Sequence, residues 1–99
     1  MAALKEITDA RIEKYLDTTR RALEKVRVVA PPRSFSAKIA ANFLDMAQRY
    51  CEDARHFHAK GDFVNAFATV NYAHGWLDAG ARLGVFDVGE DDRLFTLLE

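Results

Sequence analysis

His74 and Asp78 stand four residues apart in a stretch of helical period, so they share one side of a helix. A carboxylate beside an imidazole fixes which ring nitrogen carries the proton, and general-base histidines require such an arrangement. No nucleophile and no set of oxyanion donors accompanies the pair in the sequence. A partly buried histidine satisfied by an aspartate is therefore the plainer reading. Asp53 flanks the core face of the preceding helix, and hairpin geometry places it beside Val70 and Ala73. It completes a candidate polar cluster of Asp53, His74 and Asp78, with Tyr15 and Asn71 as hydrogen-bond donors.

The remaining reactive residues carry less. His56 and His58 are two apart, so on a helix they point to nearly opposite sides and cannot chelate one ion. Asp53 and His56 have workable spacing, but no HExxH or paired ExxH motif is present, and no metal or cofactor is expected. Cys51 reads as a small structural apolar residue, because an activated thiolate needs an electropositive pocket and an orienting partner. Tyr72 and Trp76 can stack on a nucleotide ring, yet aromatics on an outer helix face more often anchor protein contacts.

Three segments of helical period position these groups. Residues 4–28 place Thr8, Ile12, Tyr15, Leu16, Thr19, Leu23 and Val26 on one face. Asp17 and Arg21, four apart on the other side, are spaced to pair. Pro31 and Pro32 end this helix, and Ser34 or Ser36 caps the next. The second helix, residues 37–60, lines one face with Ile39, Phe43, Met46, Ala47, Tyr50, Ala54 and Phe57. Gly61 permits a left-handed cap, and Asp62 directly after it caps the third helix. So short a link makes the second and third helices antiparallel neighbours.

The third helix, residues 63–83, has a core face of Phe63, Ala66, Phe67, Val70, Ala73, Leu77 and Ala81. Opposite lie Ala68, Tyr72, Gly75, Trp76, Ala79 and Leu83, where a surface helix ordinarily carries charge. Gly75 and Gly80 each cost about 1 kcal/mol against alanine, so close approach by another element is expected to offset them. The tail is one candidate: residues 90–92 place acids at the start of a short helix, and Leu94, Phe95, Leu97 and Leu98 follow as an apolar cluster. No alternating run appears, so no sheet is expected.

Tyr50, Asp53, the Gly61-Asp62 turn, Ala66, Phe67 and the run YAHGWLDAG from Tyr72 to Gly80, followed by Gly84 and Phe86, resemble the domain of unknown function 357 family, small and mainly archaeal helical proteins. The match is specific over the second and third helices and only compatible over the first helix and the tail. It implies a compact three-helix bundle and brings no accepted activity. The family also occurs attached to nucleotidyltransferase-like domains in longer chains, which implies an accessory or binding role.

Ninety-nine residues make one domain over residues 1–99, large enough for a core without metal or disulfides. One cysteine and no apolar leader point to a reducing, cytoplasmic setting. The formal net charge of −1 supplies no global field toward nucleic acid or acidic lipid, so neither nucleic acid nor membrane is an expected partner. The expected fold is all-α, an up-down-up three-helix bundle with a short C-terminal helical tail. The expected function is a non-enzymatic helical interaction module, self-associating as a homodimer through Tyr72, Trp76 and Leu83 or holding another protein partner. A nucleotide- or RNA-associated accessory domain is the alternative. An enzyme built on His74, Asp78 and Asp53 is the weaker one.

Overall fold

In the computed structural model, which describes residues 5–89 and 94–95, three helices pack together. Helix α1 spans Asp9–Lys25, α2 Phe35–Ala59 and α3 Phe63–Leu83. No helix among the described residues is long and apolar enough to cross a membrane.

Helix α1 is shorter at both ends than its periodicity suggests. Thr8 is not a core residue but the N-cap, its hydroxyl accepting from the Arg11 N–H at 3.2 Å. At the other end Val26 turns extended, and Arg27–Val28 forms a two-residue strand β1. It pairs antiparallel with β2, Phe86–Asp87, with Arg27 opposite Asp87 and Val28 opposite Phe86. The absence of a sheet expected from the sequence is thus corrected. Two residues are too few to show alternation, while β-branched Val26, Val28 and Val29 favour extended backbone and Pro31 disfavours helix at Ala30. Asp17 pairs with Arg20 at 2.7 Å rather than with Arg21, and Glu24 holds the same guanidinium at 2.8 Å. Ile12, Thr19 and Ala22 form the buried face.

Ser34 caps α2, accepting from the Ala37 N–H at 3.0 Å, so the helix begins two residues earlier than expected. Both α2 and α3 stop at a glycine in the left-handed region. Gly61 has φ +81° and Gly84 φ +87°. In each case the residue after the glycine reaches back five positions, Asp62 N–H to Phe57 O and Val85 N–H to Gly80 O. Asp62 then opens α3 by accepting from the Asn65 N–H at 3.2 Å.

The α2–α3 seam is built from small residues. Ala40, Ala47, Cys51 and Ala54 are buried on α2, and Ala66, Val70, Ala73, Leu77 and Gly80 on α3. Small side chains let the two backbones approach closely, which pushes the larger aromatics to the margin of the seam. There Phe43 meets Trp76 edge-on at 5.1 Å and Tyr50 meets Tyr72 at 4.7 Å between ring centroids. Helix α1 contributes Tyr15 against Phe67 at 5.0 Å. The Cα envelope measures 46 × 30 × 16 Å, and its short dimension corresponds to two layers of helix.

Beyond α3, Val85, Phe86, Val88 and Phe95 are buried in one cluster with Ala22, Ala40, Ala47 and Leu77. The Phe86 ring lies so close over Gly80 that a methyl group there would overlap it. Among the described residues the element that offsets this glycine is therefore β2. The expected tail helix falls largely on residues 90–93 and 96–99, outside the described residues.

Candidate functional site

Helices α1 and α3 leave a half-open cleft of about 230 Å³ between them, lined by Tyr15, Thr18 and Thr19 on one side and by Val70, Asn71, His74, Gly75 and Asp78 on the other. His74 sits at its centre. Its Nε2 lies 2.5 Å from the carbonyl oxygen of Leu94 and its Nδ1 lies 3.1 Å from the Thr19 hydroxyl. A carbonyl only accepts, so Nε2 carries a proton and donates to Leu94, while Nδ1 shares the second hydrogen bond with the Thr19 hydroxyl. The imidazole joins the backbone at Leu94 to the first helix.

Asp78 Oδ1 is 3.8 Å from His74 Nε2, beyond hydrogen-bond distance. The two share a helix side, as their spacing requires, but the carbonyl of Leu94 fixes the tautomer. Asp53 is a clearer departure. It is exposed on α2 and does not line the cleft. Of the three, the cleft brings together His74 and Asp78 and leaves Asp53 outside. Asn71, proposed as its donor, bonds the Phe67 carbonyl of its own helix at 2.9 Å. Thr19 and Leu94 were missed as partners. A buried threonine on an apolar helix face was the available signal for the first; the second is a backbone group and leaves no trace in side-chain pattern.

His56 is exposed while His58 bonds Asp9 Oδ1 at 2.8 Å, tying the end of α2 to the start of α1. Among the described residues no three His, Cys, Asp or Glu side chains gather as metal ligands. Cys51 is buried, and that burial pushes its thiol up from the ordinary value. Glu52 adds to the rise and Arg55 opposes it. A thiol held protonated in this way is a packing group.

The second feature lies on the outer margin of α3. Tyr72, Gly75, Trp76 and Ala79 line an almost wholly apolar groove of about 180 Å³. Tyr72 is 53% exposed and Leu83 59% exposed. Trp76 is half-buried between Phe43 and Tyr72, and its indole N–H is buried without a hydrogen-bond partner among the described residues. Gly75 has open space where a side chain would stand. No element among the described residues covers it.

A mostly helical chain with a glycine-aspartate hairpin, a histidine bonded at both ring nitrogens and an apolar margin open among the described residues defines a helical domain. Residues 14–86 match the family model DUF357, protein of unknown function, and the chain belongs to that family. No curated protein and no solved structure matches it.

Proposed function

We propose that the chain is a non-enzymatic helical interaction module of the cytoplasm, an up-down-up bundle with a short C-terminal helical tail. On this reading it pairs with a second copy of itself through the outer margin of α2 and α3. The bundle topology draws support from the order of contacts. Tyr15 and Thr19 meet Phe67 and His74 in rising order, while Phe43 and Tyr50 meet Trp76 and Tyr72 in opposed order.

The observation that carries the interaction role is the aromatic ladder of Phe43, Trp76, Tyr72 and Tyr50. It leaves Tyr72 half exposed beside a groove floored by Gly75 and Ala79. Aromatic anchors beside small residues suit the centre of a helix–helix interface. A two-fold axis lets the margin meet its own copy and closes the assembly. The broad face of the 46 × 30 × 16 Å envelope is large enough for such a contact, which needs roughly 800 Å² per partner. The non-catalytic part rests on His74, whose two ring nitrogens are both engaged within the chain. Among the described residues no cationic side chain lines the groove, which favours a protein partner over a nucleotide.

Sedimentation velocity at tens of micromolar tests this. The unmodified chain is expected as a dimer, and Tyr72→Glu as a folded monomer with unchanged helical circular dichroism. A strictly monomeric unmodified chain overturns the proposal.

A further inference from the structure

A second apolar feature lies at one end of the molecule and differs in kind from the groove. The segment between α1 and α2 carries Val28 at 45%, Val29 at 54% and, at the first position of α2, Phe35 at 77% exposure. These side chains protrude, and none of the described clefts is lined by them. The segment is held firmly at its base. Val28 pairs with Phe86, the Val29 N–H donates to the Val85 carbonyl at 3.3 Å, and the Ser34 N–H donates to the Pro31 carbonyl at 3.1 Å. Burying Phe86 and Val85 while leaving Val28, Val29 and Phe35 outside is a costly distribution of apolar surface for a bare tip in water.

Around these tips stand Arg27, Arg33 and Lys38, all exposed and none in an ion pair among the described residues. Arg33 holds a left-handed backbone, φ +66°, rare for a residue with a side chain. Asp87 faces Arg27 across the strand pair, and its carboxylate accepts the Gly89 N–H at 2.9 Å. The overall charge of −1 hides this local arrangement.

We propose that this end, with Val28, Val29 and Phe35 as insertion points and Arg27, Arg33 and Lys38 as their basic collar, docks peripherally on an anionic lipid surface. A protruding apolar tip needs a medium that yields to it. The acyl boundary of a bilayer does so, whereas a folded protein partner would need a matching pocket. Only Phe35 of the three tips offers a ring to stack on a base, and the two valines offer none, which favours a lipid surface over single-stranded nucleic acid. The collar meets the charge of phosphatidylserine-type headgroups, each cation near the surface strengthening attachment about five-fold. This departs from the expectation, drawn from overall charge, that no membrane is involved. It is also independent of pairing through α3.

Vesicle co-sedimentation is the test, with phosphatidylcholine alone and with an equimolar mixture of phosphatidylcholine and phosphatidylserine. The chain is expected to pellet with the mixed vesicles only. Phe35→Ser should release most of it, and Lys38→Gln should weaken binding about five-fold. Both positions are exposed, so circular dichroism should be unchanged. Tyr72→Glu should still pellet with the mixed vesicles, which separates this proposal from the dimer. Absence of pelleting with the mixed vesicles overturns it. So does equal binding to neutral vesicles, or binding indifferent to Phe35→Ser. Retention of poly-uridylate instead of vesicles, lost in the same two variants, would assign the end to nucleic acid and overturn it equally.

Discussion

At the scale of single residues, His74 is held by partners on two other parts of the chain, and this sets what its loss should do. Thr19→Val keeps the shape of the side chain and removes the hydroxyl that satisfies Nδ1. Leaving a part-buried ring nitrogen without its hydrogen-bond partner should cost about 1–3 kcal/mol, read from urea denaturation. A shift within a few tenths of that of an exposed control such as Thr18→Val would show that the contact contributes nothing. Cys51 allows a pH test. Its folded thiol is a weaker acid than the unfolded one, so the unfolded state loses its proton first as pH rises. The stability it lends is whole below the ordinary thiol value of about 8.5 and is lost as pH climbs through the raised folded value. Unfolding midpoints for the chain and Cys51→Ala should therefore converge on the alkaline side of that value; parallel curves would remove the thiol from the account. The spacing of His74 and Asp78 made their shared helix side legible in the sequence. Their lack of a bond was not, because four-residue spacing fixes a face and leaves the rotamer to whatever acceptor lies nearer, here the carbonyl of Leu94.

At the scale of elements, punctuation was more legible than faces. Ser34 and the pair Gly61–Asp62 cap through local chemistry, in which a side-chain oxygen or a positive φ acts within a few residues. The strand pair was invisible because its partner lies 58 positions away in the ladder, Phe86 against Val28, and only tertiary pairing makes two residues a strand. The buried face of α2 turned out to centre on Ala40, Ala47, Cys51 and Ala54 instead of on its largest apolar residues. Periodicity ranks residues by size and hydropathy, whereas a tight seam selects the small ones. The two glycines of α3 separate these effects. Gly80→Ala meets the Phe86 ring and should destabilise by about 1–3 kcal/mol through overpacking. Gly75→Ala meets nothing among the described residues and, with its helical backbone, should stabilise the monomer by about 0.5–1 kcal/mol. The comparison belongs in the Tyr72→Glu background, free of any second copy. Equal effects at the two sites would contradict the packing described around β2.

At the scale of the whole molecule, the apolar side chains divide between a seam that the chain closes itself and a margin that it leaves open. Alanines at the seam bring α2 and α3 together, and the same closeness ejects Tyr72 and half of Trp76 toward solvent. A second copy would return those rings to an apolar setting at no cost in new sequence, since the two margins are identical. Pairing of this kind links stability to concentration, because only the folded chain carries the margin and dilution favours the unfolded state. The thermal midpoint of the unmodified chain should then rise steadily as its concentration is raised from the low micromolar range. Tyr72→Glu should show a midpoint that concentration does not move, because a carboxylate on each side of the axis opposes its own copy across the contact. The variant should also melt at the temperature that the unmodified chain approaches on dilution. A midpoint insensitive to concentration in both proteins would mean that the aromatic margin is left bare, and the pairing proposed for it would be wrong.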